Sequence, residues 1–135
     1  MANEAIITTL LGNQGDPVEY TVAAGGAIPK GSLMVLSSSP KTATISSADG
    51  DFFCGIAATE KTATDGVTKM ACITHCVAQL TAGTGATTFG LPQKISGANL
   101  VIDADDSTIP KAMEVVGISL ETVADGNTGG VLINI

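Results

Sequence analysis

Residues 55–66 read Gly-Ile-Ala-Ala-Thr-Glu-Lys-Thr-Ala-Thr-Asp-Gly, and residues 117–126 read Gly-Ile-Ser-Leu-Glu-Thr-Val-Ala-Asp-Gly. Both stretches follow hydrophobic residues, and both lead into an apolar segment, 70–77 in the first case and 131–135 in the second. Each therefore predicts a strand, a polar loop closed by an Asp-Gly turn, and a second strand. Because the unit occurs twice, we expect a small β-protein assembled from two related strand–turn–strand units.

The rest of the chain also reads as a series of short strands. Residues 18–22 alternate apolar and polar side chains, as a half-buried strand does. Further apolar segments bounded by Gly, Pro and Asp predict strands at 33–37, 42–46, 52–57, 69–80, 99–102, 112–119 and 131–135. The pattern predicts an all-β fold, a small barrel or sandwich.

Residues 1–16 are predicted to form an N-terminal arm, which a Gly- and Asn-rich stop separates from a single β-rich domain at residues 17–135. The aliphatic side chains of the arm have a spacing that fits one helical turn as well as a short strand. Such a segment either remains a disordered tail or anchors the protein by adding a strand to a neighbour or filling a groove. We favour the anchor, with candidate contact residues Ala2, Asn3, Ile6, Ile7, Leu10 and Leu11.

The composition predicts a thin hydrophobic core. Ala, Thr and Gly are the commonest residues, at 18, 17 and 16 of 135, whereas the chain has no Trp, one Tyr and three Phe. Since aromatic side chains normally supply much of the buried area, a lone domain of this kind is expected to be only marginally stable. We therefore expect it to gain stability by packing against copies of itself or another surface.

The charge argues against two classes of partner. The chain has 13 acidic residues against six Lys and no Arg, and its net charge is −7. An acidic surface repels nucleic-acid backbones and anionic membranes, and Arg is the preferred donor to phosphates and base edges. We therefore predict neither a nucleic-acid nor a membrane partner. The first residues lack a basic secretory signal and no apolar run is long enough to span a bilayer, which predicts synthesis in a cytoplasm.

Cys72, His75 and Cys76 are the first candidates for a metal site. On a single strand Cys72 and Cys76 would share one face and His75 would point to the other, so the three side chains could not converge on one ion. A disulfide between Cys72 and Cys76 is disfavoured, because four residues of strand span about 13 Å. Cys54 is a possible disulfide partner if strands 52–57 and 69–80 pair, although a cytoplasmic origin favours free thiols. We predict no metal and no cofactor.

An acidic segment matches positions 1, 3, 5 and 12 of a calcium-loop register with Asp103, Asp105, Ser107 and Glu114. Thr108 stands where such a loop needs Gly, so an acidic solvated turn is the favoured interpretation.

Catalytic residues are not apparent in the sequence. Glu60 and Glu121 recur at similar places in the two units, and duplication explains this more simply than paired acid–base chemistry does. His75 is the only histidine, and no serine lies in a Gly-x-Ser-x-Gly turn. We predict that the protein is not an enzyme and has no small-molecule substrate.

Three short motifs follow one another along residues 18–135. They are Ala27-Ile28-Pro29-Lys30-Gly31-Ser32-Leu33-Met34-Val35, Phe53-Cys54-Gly55-Ile56-Ala57-Ala58 and Val115-Val116-Gly117-Ile118-Ser119. In order, spacing and composition this pattern resembles a family of small tailed-phage proteins, the capsid cement or head decoration proteins. The stretch 82–98 and the Cys-rich segment 72–76 depart from the family pattern.

The resemblance implies a β-rich body, often a homotrimer, that sits on the outer surface of a phage head. It would clamp neighbouring major-capsid subunits after the shell has expanded, and the N-terminal arm would contact the major capsid protein. The alternative is a β-barrel binding module of a phage tail or surface structure that recognises protein or glycan, although few aromatic side chains are present to stack on sugars. A third hypothesis is an enzyme or metalloprotein that uses His75 or the Asp103 loop.

Overall fold

The computed structural model describes residues 3–10, 17–49, 51–104 and 114–135. The described residues form eleven strands: β1 (Ile6–Leu10), β2 (Val18–Thr21), β3 (Leu33–Leu36), β4 (Ala43–Ile45), β5 (Phe53–Ala57), β6 (Lys69–Ile73), β7 (His75–Ala82), β8 (Pro92–Gly97), β9 (Leu100–Asp103), β10 (Val115–Ser119) and β11 (Thr128–Asn134). β-Branched and aliphatic residues favour the strands, and Gly, Pro and Asp end them. The predicted all-β class is confirmed.

Two sets of five strands make up the body. The set β7–β11, here called the second half, is ordered β7-β11-β10-β8-β9, and a parallel pairing of β9 with β7 closes it into a barrel. The set β2–β6, the first half, forms a sheet ordered β2-β6-β5-β3-β4. Its two edges meet at a parallel bridge between Thr21 and Thr42, where Thr21 N donates to Lys41 O at 2.9 Å.

The two halves have the same topology. Replacing each strand of the first half by the strand five places later converts one strand order into the other. Hydrogen bonds outside the ladders repeat as well, since Gly31 N donates to Ala57 O at 3.0 Å and Gly90 N donates to Ser119 O at 2.8 Å. The two related units predicted from the sequence are confirmed, and the repeat extends over all five strands of each half.

The repeated Gly-Ile motif marks a β-bulge in each half. The bulge makes Cys54 the extra residue before Gly55 in β5, and Val116 the extra residue before Gly117 in β10. A Cβ on Gly55 would lie 2.7 Å from a side chain of β6, and one on Gly117 would collide with the carbonyl oxygen of Leu132. Because the neighbouring strand passes so close, glycine is required at both positions.

Two apolar clusters lie on opposite faces of the first-half sheet. The inner cluster contains Val22, Ile28, Met34, Ala43, Cys54, Ala57, Met70 and Cys72. Since side chains alternate along a strand, the residues on either side of Met34 and Cys54 point to the other face. The bulge at Cys54 shifts the alternation, so Ile56 points to that face as well. There Leu33, Val35, Phe53 and Ile56 join the interior of the second-half barrel in one larger cluster. The two halves therefore share a hydrophobic core.

Buried hydrogen bonds hold the halves together at one turn. Asn99, in the turn between β8 and β9, accepts from Leu33 N at 2.9 Å through its Oδ1, and its own N–H donates to Ser46 Oγ at 2.9 Å. Nearby, Lys94 Nζ lies 3.0 Å from Asp49 Oδ1. The second half thus rests on the outer face of the first half.

Some strand boundaries differ from those predicted. The sequence predicts one strand over 69–80, and this is wrong: the chain breaks at Thr74, where β6 of the first half ends and β7 of the second half begins. The strand β8 was not predicted, because it begins with Pro92 after a Gly/Thr-rich loop. The strand β11 begins at Thr128, three residues before the predicted strand at 131–135.

Candidate interaction surface

The described part of the predicted arm is a strand of the body. β1 pairs antiparallel with β7 over four residues of the second half. Ala5, just before β1, is buried, and its N–H donates to Gly31 O at 2.6 Å. A Cβ on Gly31 would collide with the carbonyl oxygen of Ala5, so this glycine allows the segment to cross the first half closely.

The predicted contact residues of the arm lie in different environments. Ile6 is 66 % exposed, whereas Ile7 is half-buried and packs against the larger cluster. Asn3 is exposed and has a φ of 69°. The structure does not describe the side chains of Ala2, Leu10 and Leu11. That these residues contact a capsid stays a prediction. Among the described side chains of β1, Ile6 is the large apolar one that is exposed to solvent.

A second exposed apolar surface lies on the second half. Phe89 is 68 % exposed, and Leu91, Ile118 and Leu120 are exposed by 43 %, 46 % and 41 %. They lie on neighbouring segments, because Ser119 N donates to Leu91 O at 3.1 Å. We call these four residues the apolar face. Contiguous exposed apolar side chains typically mark an interaction site.

The sequence prediction missed the apolar face, although the sequence holds a signal for it. Aligning the halves by their hydrogen bonds places Phe89 at the position of Lys30 and Leu120 at the position of Ala58. The second half is therefore more apolar than the first at these exposed positions.

Lys61 is a buried charge that ties two loops together. Its Nζ donates to Ala24 O at 2.7 Å and Thr62 O at 3.3 Å, and lies 3.4 Å from Asp65 Oδ1. It also lines a surface pocket of ≈ 340 Å³ together with Glu4, Pro29 and Glu60, among others. Because the ammonium group has partners within the fold, we assign Lys61 a structural role.

The Asp-Gly turn beside Lys61 is held by the carboxylate of Asp65. Asp65 accepts from Val67 N at 2.9 Å through Oδ1 and from Thr62 N at 3.0 Å through Oδ2. The bond from Val67, together with Thr62 and Lys61, lowers the pKa of the Asp65 carboxyl below its usual range.

The cysteines lie in two separate cores. Cys72 and Cys76 do not share the face predicted for them, because they belong to strands of different halves. Cys54 and Cys72 lie together in the inner cluster, and all three thiols are free. The hydrogen bond with Cys72 and burial raise the pKa of Cys54, and burial raises the pKa of Cys76 to about 11. Cys54 and Cys76 therefore remain protonated and unreactive at neutral pH.

The polar candidates are separated in the structure. Asp103 Oδ1 accepts from Thr88 N at 2.8 Å and from Gln93 Nε2 at 2.7 Å. Glu121 Oε2 accepts from Gly130 N at 2.6 Å. In the part of the chain that the structure describes, no three His, Cys, Asp or Glu side chains are grouped as metal ligands. Two residues of the predicted calcium-loop register, Asp105 and Ser107, lie outside the described residues.

The arrangement offers two apolar surfaces, Ile6 on β1 and the apolar face on the second half. Such surfaces suit contact with other proteins, where buried aliphatic and aromatic anchors supply most of the binding energy. Among residues 3–10, 17–49, 51–104 and 114–135, no helix has the length and hydropathy needed to cross a bilayer. The chain matches no protein-family model and no curated protein sequence.

Proposed function

We propose that this protein is a structural component of a tailed-phage head. As a homotrimer on the outer surface of the virion, it would cement neighbouring major-capsid subunits and stabilise the expanded shell. It acts by binding, without catalysis or a cofactor.

The positions of the three resembling motifs carry the proposal. The first covers the turn at Gly31 and β3, the second is β5, and the third is β10. β5 and β10 are equivalent strands of the two halves, and each contains the bulge that needs glycine. The residues shared with the family are thus those on which this fold depends, which supports a common architecture.

The surface properties agree with a role outside the shell. The chain lacks Arg and carries a net charge of −7, so it is unsuited to contact packaged nucleic acid. Ile6 projects from a strand that is fixed to the body by pairing with β7. A fixed apolar side chain loses little entropy on docking, which makes Ile6 the leading candidate for capsid contact.

Co-sedimentation with heads of the phage that encodes the chain tests this function. We expect saturable binding to expanded heads and a higher temperature of head disruption once the sites are filled. Ile6→Asp should weaken binding, whereas Val67→Asp, on a loop of the first half, should not. Deleting residues 2–16 is a poorer test, because it would remove the buried Ala5 and the β1 pairing.

The alternative binding module of a tail or surface structure is tested in the same experiment. Binding to purified tails, with none to heads, would overturn the capsid proposal and favour that module. Of its two targets the exposed Phe89 favours a protein, because one isolated ring provides little stacking surface for a glycan.

A further inference from the structure

We infer that the apolar face, Phe89, Leu91, Ile118 and Leu120, binds the first half of a second copy of this chain. The inference deepens the homo-oligomer part of the proposed function and does not depend on a phage partner. It follows from comparing equivalent positions in the two halves.

Repeated hydrogen bonds define the equivalent positions. Ala58 N donates to Ala71 O at 2.9 Å, and Leu120 N donates to Gly130 O at 2.8 Å. Ser32 and Leu91 both follow the positive-φ glycine of their turns, whose φ values are 89° and 82°. The first-half equivalents of the apolar face are therefore Lys30, Ser32, Ile56 and Ala58.

At Ile56 the first-half surface is already an interface. Ile56 is 0 % exposed and belongs to the cluster that joins both halves, whereas Ile118, its equivalent, is 46 % exposed. The surface around β5 therefore accepts a five-stranded unit of this fold. Among the residues that the structure describes, no such unit covers the matching surface around β10.

At three of the four equivalent positions the second half has a larger apolar residue, although the residue is exposed to solvent there. In the first half the equivalent positions have Lys30, which is exposed, Ser32, which is buried, and Ala58, which is half-buried. The second half has larger apolar residues at those places: Phe89, Leu91 and Leu120. In a chain with three Phe, placing one at 68 % exposure on such a surface indicates that a partner covers it.

A second copy is the partner that continues the interface within the chain. The internal contact uses Asn99, whose side chain accepts from the buried Leu33 N–H at 2.9 Å. The equivalent of Asn99 in the first half is Lys41. Each lies in the turn before its strand, β9 for Asn99 and β4 for Lys41, and each has a positive φ, 57° for Asn99 and 52° for Lys41. The equivalent of Leu33 is Pro92, since Ser46 N donates to Leu33 O as Ala104 N donates to Pro92 O.

This pair of replacements fits a contact between copies. Repeating the internal contact between two chains would place Lys41 of one copy against Pro92 of the other. Proline has no N–H and the lysine side chain has no acceptor atom. The donor of the Leu33–Asn99 hydrogen bond and its acceptor are thus both replaced, so neither is left unpaired at the equivalent contact. Such a head-to-tail contact closes into a ring or extends as a filament, and the proposed homotrimer is a closed ring.

Analytical ultracentrifugation of the purified chain tests the inference. We expect the wild type to form oligomers, and Phe89→Asp and Leu120→Asp to sediment as folded monomers with an unchanged circular dichroism spectrum. Ile6→Asp is the matched control, since it places the same charge on another exposed apolar residue, on β1 and outside the apolar face, and it should remain oligomeric. A wild type that is monomeric at its highest soluble concentration, or a Leu120→Asp variant that remains oligomeric, overturns the inference.

Cysteine cross-linking tests the orientation. Lys41→Cys and Pro92→Cys variants carrying different tags should form a mixed disulfide when they are combined and oxidised. Lack of that product from an oligomer would refute the head-to-tail contact. If the protein is a monomer that binds heads, this inference is wrong and the proposed capsid function stands. If it is an oligomer that does not bind heads, the inference stands and the proposed capsid function is wrong.

Discussion

Replacing the two equivalent isoleucines by alanine measures directly how differently the halves use the same position. Ile56 and Ile118 each follow the bulge glycine of their strand, and they have the same side chain and the same local backbone. Ile56 is fully buried between the halves, whereas Ile118 is 46 % exposed. We expect Ile56→Ala to be much more destabilising than Ile118→Ala.

The magnitude follows from the buried side-chain groups. Removing the three outer carbons of Ile56 costs roughly 0.8 kcal/mol for each, or about 2.4 kcal/mol. The remaining cavity raises the loss in free energy of unfolding to about 3–4 kcal/mol, within the range for buried isoleucine. Ile118 is about half exposed and leaves no closed cavity, so its loss is about 1 kcal/mol or less. For a domain of this size the melting temperature should fall by roughly 10–15 °C for Ile56→Ala and by at most about 4 °C for Ile118→Ala.

The assay is urea unfolding followed by circular dichroism, on dilute protein so that association does not contribute to the measured free energy. An unchanged slope against urea confirms that both variants unfold in the same way as the wild type. At high concentration the difference between the two variants should narrow, because Ile118→Ala also weakens the contact between copies that we infer. Equal losses in dilute solution would refute the assignment of Ile56 to a covered surface.

Three further changes test other parts of the structure. Gly117→Ala should destabilise by at least about 2 kcal/mol in urea unfolding, because its Cβ would collide with the next strand, whereas the control Gly25→Ala has open space around its Cβ. Lys61→Met should lose about 1–3 kcal/mol, since it leaves the carbonyl oxygen of Ala24 without its 2.7 Å donor; a stability equal to the wild type would contradict the structural role. Asp65 has a lowered pKa, so its stabilisation is present above the ordinary value of 3.8 and is lost as the pH falls through the lowered value. The melting temperatures of wild type and Asp65→Asn should therefore differ at neutral pH and converge in acid.

The sequence predicted the fold class because its local signals were strong. The Gly-Ile and Asp-Gly pairs stand at fixed places in both halves, and alternation in 18–22 gave β2 almost to the residue. The break at Thr74 escaped prediction because apolar residues continue on both sides of it. Periodicity reports which residues are apolar, and it carries no signal that the sheet changes between Ile73 and His75.

The candidate surfaces were harder to predict than the fold. Ile6 and Ile7 look alike in sequence, yet one is exposed and the other packs against the larger cluster, because only the pairing of β1 with β7 decides which face is buried. Similarly, the sequence alone does not distinguish Phe89 from a core residue. Its place at an exposed position is recognised only when its loop is aligned with the loop of Lys30 in the first half. Both distinctions depend on long-range pairing that local sequence does not encode.

The low aromatic content of the chain has a structural reason in the small size of each half. A barrel narrows as its strand number falls, and eight strands already enclose little more than their own side chains. Along β7 the buried residues are accordingly small or medium in size: Cys76, Ala78, Leu80 and Ala82.

Bulky apolar residues also lie on the outer walls. In the first half they are Leu33, Val35, Phe53 and Ile56, and the second half covers them. In the second half they are Phe89, Leu91, Ile118 and Leu120, and they are exposed. Large apolar side chains on an outer wall indicate where units meet, and the chain already contains one such contact between its halves. The exposed apolar side chains on the wall of the second half are the reason to expect a second contact of this kind, between copies of the chain.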